Sequence, residues 1–307
     1  MNSDIEYFNN RAEMLSGKIA QAEDKNRRLS TLRLVFFSLA VICVIVSFVK
    51  SGLRLPLLVA AVVPFAIFIY FCYKHEKSKA VYEHLLILKE INDRYIARIE
   101  GDFSKLKNVA PEIDIREHDY AFDLDIFGDV SLYNLYNISQ SYLGRNAFAK
   151  ELLGFNLHEN ISQRQKACEE LMQKKEFLQE FEALSIEKNM EKSPSILANF
   201  CSSEESFSPK LRLLYKFIPL LWLVPLLLLF MGSRIWGAIA VGVALINLLI
   251  SFFLTGKYKS RFNFASSLKK QVEGFASLYE LVERQELKTD LLNELLKREG
   301  EHLLLIY

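Results

Sequence analysis

The chain has 307 residues, of which 51% are apolar and 24% charged, with a formal net charge of +1. A balance this close to neutral excludes binding driven by bulk charge, whether to nucleic acid or to an acidic partner. So much apolar residue beside so much charge requires segregation into hydrocarbon-like and polar stretches. The cysteines, Cys43, Cys72, Cys168 and Cys201, form no C-x-x-C pair and have no histidine at ligand spacing. That excludes a disulfide framework or zinc site and leaves thiols in a reducing compartment. The first thirty residues are polar and charged, so no cleavable signal peptide is expected.

The first predicted unit is 1–110. Ile5, Phe8, Ala12, Leu15, Ile19 and Ala22 recur three and four apart, the seam of a coiled coil. An uncharged run from Leu34 to Val49 follows, with Arg33 and Lys50 placed to snorkel at its ends. A second uncharged run extends from Leu55 to Tyr73. A membrane helix needs roughly 20 apolar residues, with a working range of about 17–25. The alternative, buried helices of a soluble protein, fits poorly because core helices are seldom apolar on every face. The gap Lys50–Arg54 is so short that the two runs make a hairpin. Beyond it Val81, Leu85, Leu88, Tyr95 and Ile99 repeat the seam rhythm, with Asn92 at the intervening position. The two polar stretches leave the hairpin on one side and are predicted to pair as an antiparallel stalk.

Pro111 ends the stalk and opens a block and linker, 111–209. Asp123, Asp125 and Gly128 lie in a short acidic segment predicted to be extended. Asp129 or Ser131 is placed to cap a helix carrying Leu132, Leu135 and Tyr136. Gly144 allows a close turn into a helix with Ala147, Phe148, Leu152 and Leu153, and Ile161, Gln165, Cys168 and Leu171 begin a third. Ser193-Pro194 and the stretch Cys201–Pro209 read as turn and linker.

A second hairpin, 210–256, is predicted from uncharged runs Phe217–Ser233 and Ile235–Thr255, separated only by Arg234. Asn247 is the one strongly polar side chain within the spans, so an ion or solute pathway is not indicated. A helical arm, 257–307, carries Leu268, Val272, Phe275, Tyr279 and Val282 as a seam, then Leu291, Leu292, Leu295 and Leu296. Arginine and lysine flank the long polar segments: Arg27, Arg28 and Arg33 before the first hairpin, Lys74, Lys77 and Lys79 after it. The same bias around the second hairpin (Lys210, Arg212 and Lys216, then Lys257, Lys259 and Arg261) places the polar mass in the cytoplasm of a cell with an inner membrane.

The block from Tyr120 to Met172 carries Phe-Asp-Leu-Asp-Ile-Phe-Gly (122–128), Leu-Gly-Arg (143–145) and Arg-Gln-Lys-Ala (164–167), the last followed by Glu170 and Leu171. This order resembles the start of the helical core, or lever, domain of the MutS family of DNA mismatch repair proteins. The matched positions are Asp123, Asp125, Gly128, Leu132, Gly144, Arg145, Arg164 and Gln165, and they cover about a sixth of the chain. The resemblance implies a membrane-anchored MutS-like protein. It also implies that ATP binding, and with it action on mismatched DNA, would belong to a C-terminal ATPase domain beyond Tyr307, in a longer polypeptide. No G-x-x-x-x-G-K-[S/T] phosphate loop occurs here, and Thr255–Ser260 lacks its first glycine.

Other chemistry is not indicated. Asp123, Asp125 and Asp129 do not continue as a calcium loop, because Phe127 and Asn134 stand where oxygen ligands are needed. From Glu112 to Asp129 seven acids face one arginine, a field that repels phosphates and makes DNA a doubtful partner for this chain alone. The scattered histidines, His75, His84, His118, His158 and His302, suggest no catalytic pair, and the sequons at Asn137 and Asn160 carry no meaning in a cytoplasmic domain. The expectation is an all-α integral membrane protein with two transmembrane hairpins, coiled-coil-like stalks and a MutS-like block. It has no catalytic, cofactor or metal residues. Its partners are the lipid bilayer and a second copy joined through the helical arms. The alternative is a scaffold that self-associates through its stalks with no nucleic-acid role.

Overall fold

The computed structural model describes residues 2–49, 54–106, 111, 113, 118–154, 161–188, 190 and 234–304. These form α1 (Asn2–Val49), α2 (Arg54–Glu100), α3 (Leu132–Tyr136), α4 (Tyr142–Leu152), α5 (Ile161–Met172), α6 (Lys175–Glu187), α7 (Arg234–Glu283) and α8 (Asp290–Leu304), with no strand among the described residues. The third apolar run, the Cys201–Pro209 linker and the tip of the first hairpin lie outside them. Two compact units emerge, one comprising Met1–Glu191 with Ser277–Tyr307, the other Lys192–Ala276.

In the first unit α1 and α2 pack antiparallel. Phe8 meets Tyr95, Phe36 meets Phe71 and Phe37 meets Phe68, with ring centroids 5.3, 5.6 and 5.3 Å apart, so positions on α2 fall as those on α1 rise. The pair has two unlike halves. In the apolar half Leu34, Ile42 and Ile45 of α1 and Val59, Val62 and Val63 of α2 are each more than half exposed. These are the two described helices long and apolar enough to cross a membrane, and only 6% and 11% of their most apolar stretches are buried. The low burial sets them apart from core helices of a soluble protein, which hide such stretches. Pro64 lies inside α2, where its ring removes one helical donor without ending the helix.

In the polar half α6 covers the pair, and Leu15, Leu88, Ile91 and Ala183 make a core flanked by Leu85, Tyr95 and Ile186. The predicted α1 seam is buried or half-buried throughout. On α2 the seam holds from Leu85 to Ile99, while Val81 is 56% exposed. Ile91, Arg94 and Ala97 form a further buried stripe. A two-helix seam does not predict that stripe, which comes with the third helix.

The block departs from its sequence reading in three places. Its acidic segment is a turn rather than an extended strand. The Ile126 N–H donates to the Ala121 carbonyl (3.1 Å), the Asp125 N–H donates to that of Phe122 (3.2 Å), and Asp125 takes φ +45°. This is a Schellman-type closure with Asp in the left-handed position, and Ala121 and Ile126 supply its buried apolar contact. Second, α3 turns Leu132 (50% exposed) and Tyr136 (62%) outward and buries Tyr133, whose ring meets those of Phe127 and Phe148. A helix this short is oriented by its ends: Ser131 caps it, and the Tyr133 N–H donates to the Ile126 carbonyl. Third, α5 buries Ala167 and exposes Ile161, Gln165 and Cys168.

Candidate functional site

The most concentrated chemistry in the first unit is a polar seam between α6 and the α1–α2 pair. Its spacing follows from the helix: Glu176, Gln179, Glu182 and Ser185 recur three apart on α6, interleaved with Ala183 and Ile186. Asn92 donates to the Phe8 carbonyl (2.9 Å) and accepts from the Gln179 amide (3.3 Å). Gln179 also accepts from Arg11, whose guanidinium pairs with Glu176 at 2.9 Å. Arg11, Asn92 and Gln179 are all buried, so three helices are cross-linked through one hydrogen-bonded chain.

Two residues further along α2, Arg94 donates to Glu182 (2.7 Å), with side chains 6% and 2% exposed. Burial outweighs the arginine and holds the Glu182 carboxyl above its ordinary value. Gln140 donates to the same carboxylate oxygen (3.0 Å), joining the α3–α4 loop to the seam. Arg98 donates to the carbonyls of Leu135 and Asn137, both at 3.0 Å, at the C-terminal end of α3, where positive charge is favoured. At the other end His84 lies 3.1 Å from Glu180 and also bridges Glu187. The hydrogen bonds it donates to Glu180 and then to Glu187 push its imidazole up to about 10 against the opposing effect of burial.

The eight resemblance positions do not converge on one point. Asp123, Asp125 and Gly128 are exposed on the turn, and Leu132 and Gln165 also face outward. Gly144 is the third residue of α4, where its N–H donates to the capping Ser141 hydroxyl (3.0 Å). Arg145, 5% exposed, donates to the Gln140 carbonyl (2.9 Å), and Arg164 pairs with Glu151 (3.4 Å). Glu170, from the same stretch of sequence, accepts the backbone N–H groups of Lys288 and Thr289, both at 2.8 Å. Those bonds seat the start of α8 on α5 and hold the Glu170 carboxyl below its ordinary value, the Thr289 hydroxyl contributing most. His118 and Tyr120 both donate to the Leu153 carbonyl, closing the C-terminal end of α4.

Sequence reasoning missed Arg11, Arg94, Arg98, Gln179 and Glu182. The signal available was charge at seam spacing: Arg11 stands between Phe8 and Leu15, and Arg94 and Arg98 are one turn apart. Among the described residues no group of three or more His, Cys, Asp or Glu is arranged to hold a metal ion. Comparisons with family models, with curated proteins and with solved structures give no match for this chain.

Proposed function

We propose that this chain is a membrane-anchored helical module, MutS-like in its block, non-catalytic in itself, with its polar bundle on the cytoplasmic side. The observation that carries the reading is the division of one helix pair into an exposed apolar half and a half locked into a bundle by buried polar bonds. Exposed apolar surface of this extent is costly in water and neutral in hydrocarbon. Lys74 and Lys77 lie over the rings of Tyr70 and Tyr73 where the apolar half ends, a pairing suited to a bilayer interface. The second predicted hairpin would add two further spans. The polar seam then serves as a rigid coupling between the anchor and the block.

The MutS-like part of the proposal rests on the eight sequence positions alone. Under it, action on mismatched DNA and ATP would need an ATPase domain that this chain does not carry, and the chain by itself binds neither. Vesicle flotation tests the anchor: the full chain should rise with liposomes and resist alkaline extraction. Nucleotide titration tests the rest. Saturable ATP binding in the 307-residue chain, abolished by Lys257→Ala, would overturn the non-catalytic reading.

A second reading, a self-associating scaffold without a nucleic-acid role, is favoured by Val272 and Phe275 of α7, exposed at 55% and 45%. Light scattering in mild detergent tests the self-association that both readings share: a dimer dispersed by Phe275→Glu would place it on this arm, and binding of nucleotide or DNA is what separates them.

A further inference from the structure

We propose that the seam between α1 and α2 seats one anionic phospholipid, headgroup on Arg33 and acyl chain along the apolar groove below it. The proposal rests on the membrane reading above and names a ligand for it. A crevice between the helices is lined at one end by Ser30, Thr31 and Arg33 and floored by Leu34, Phe37 and Phe68. A second crevice, lined by Phe37, Val41, Val44, Ile45, Val62 and Phe65, begins where the first ends, at Phe37. On α1 the stripe Ser30, Arg33, Phe37, Ala40 and Val44 advances three or four residues at a step, so both crevices occupy one helix face. We infer that the two crevices, which share Phe37, make one groove. Ala40 and Ala61, 6% and 7% exposed, line its lower part, where a larger side chain would take up space.

Its two ends differ in chemistry. The upper end offers the Ser30 hydroxyl and the Arg33 guanidinium, the Thr31 hydroxyl being turned to the Arg27 carbonyl (3.0 Å), and the lower end offers only hydrocarbon. Arg27 and Arg28 both reach Asp24, but among the described residues Arg33 meets no acid or carbonyl partner. An unpaired guanidinium at the mouth of an apolar groove is complementary to a phosphate carrying an alkyl chain. From Arg33 to Ile45 the groove runs roughly 18 Å at about 1.5 Å per residue. One leaflet of a bilayer is about 15 Å of hydrocarbon, so the groove matches one acyl chain in depth. A soluble phosphate would satisfy the mouth alone and leave the groove empty. A second protein helix would fill the groove but leave Arg33 unpaired unless it brought an acid.

The test uses the full chain in neutral detergent, offered equal amounts of phosphatidylglycerol and phosphatidylcholine with identical acyl chains, and counts retained lipid by native mass spectrometry. One phosphatidylglycerol per chain should be retained in preference. Arg33→Gln should lower that preference about fivefold, the effect of removing one interfacial charge, while Arg33→Lys keeps most of it. Val44→Trp, which fills the lower groove, should reduce retention of both lipids. Circular dichroism identifies any variant that has lost its helices, and Arg33→Ala stands in for Arg33→Gln if the latter does. Millimolar inorganic phosphate should not displace the lipid; displacement would mean that only the phosphate is read and would overturn the groove. No preference in a chain that floats with vesicles overturns this proposal alone, as does a copy-to-copy crosslink at Val44 that persists in saturating lipid. A chain that fails to float overturns the membrane reading with it.

Discussion

Arg94 and Glu182 meet with almost no water around them, so each depends on the other for its charge. Removing one member of a buried pair typically costs about 3–5 kcal/mol, whereas replacing both by apolar residues of similar volume is often near neutral. Glu182→Leu alone should therefore destabilise the bundle by that order, and Arg94→Met with Glu182→Leu should recover most of the loss. Chemical denaturation of the four variants in a double-mutant cycle measures it; additive losses would show that the pair is not coupled. Gly144 poses a problem of space. A Cβ there would lie 2.6 Å from the Ser139 hydroxyl, 2.9 Å from that of Ser141 and 3.1 Å from the Ser139 Cβ. Gly144→Val should cost roughly 1–3 kcal/mol by overpacking, and Ser139→Ala beside it should restore part of that in thermal melts. The need for glycine at 144 was legible in the sequence, as a turn or a close approach, and the close approach is what the fold has. The facing of Leu132 was not legible, because caps and the Tyr133 aromatic contacts orient α3 more strongly than its own apolar spacing.

Among the elements, α6 is tied to α2 by a charge cluster with a defined pH response. His84 is raised from 6.5 to about 10 by Glu180 and Glu187. A raised histidine contributes its full stability below about 6.5 and loses it progressively as pH climbs through about 10. The melting-temperature difference between the parent chain and His84→Gln should hold steady in mild acid, shrink through the alkaline range and vanish above about 10. A difference that grows with pH would contradict the assignment. Glu170 works in the opposite sense. Its carboxyl is held below the ordinary value of 4.5 by α8, so the clamp is present above that value and released as pH falls through the lowered one. Protection of the Lys288 and Thr289 amides against hydrogen exchange, corrected for the intrinsic rate at each pH, should be present at neutral pH and lost in acid or in Glu170→Ala. The α1 seam was legible as a heptad because it packs on one neighbour. The buried polar stripe of α2 was not, because Arg94 and Arg98 read as a solvated face until α6 and the α3–α4 loop are placed against them. The Glu170 clamp joins residues more than a hundred positions apart, beyond the reach of any local pattern.

At the scale of the whole molecule, the α1–α2 pair divides into an apolar half with exposed side chains and a polar half packed into a bundle. That much was plain in the sequence: the uncharged runs at 34–49 and 55–73 coincide with the half of α1 and α2 whose side chains are exposed, and the heptad stretches with the half that is buried. What periodicity could not supply was the third helix over the polar half and the network that fixes it there. The measurement that bears most directly on the account is site-specific labelling in intact cells with a membrane-impermeant thiol reagent. It needs two otherwise cysteine-free chains, one keeping only the exposed Cys168 and one carrying only Ser51→Cys. The account predicts that Ser51→Cys is labelled from outside and that Cys168 reacts only after the cells are opened. Labelling of Cys168 in intact cells, or of neither position until lysis, would contradict a hairpin that crosses the membrane with its bundle inside.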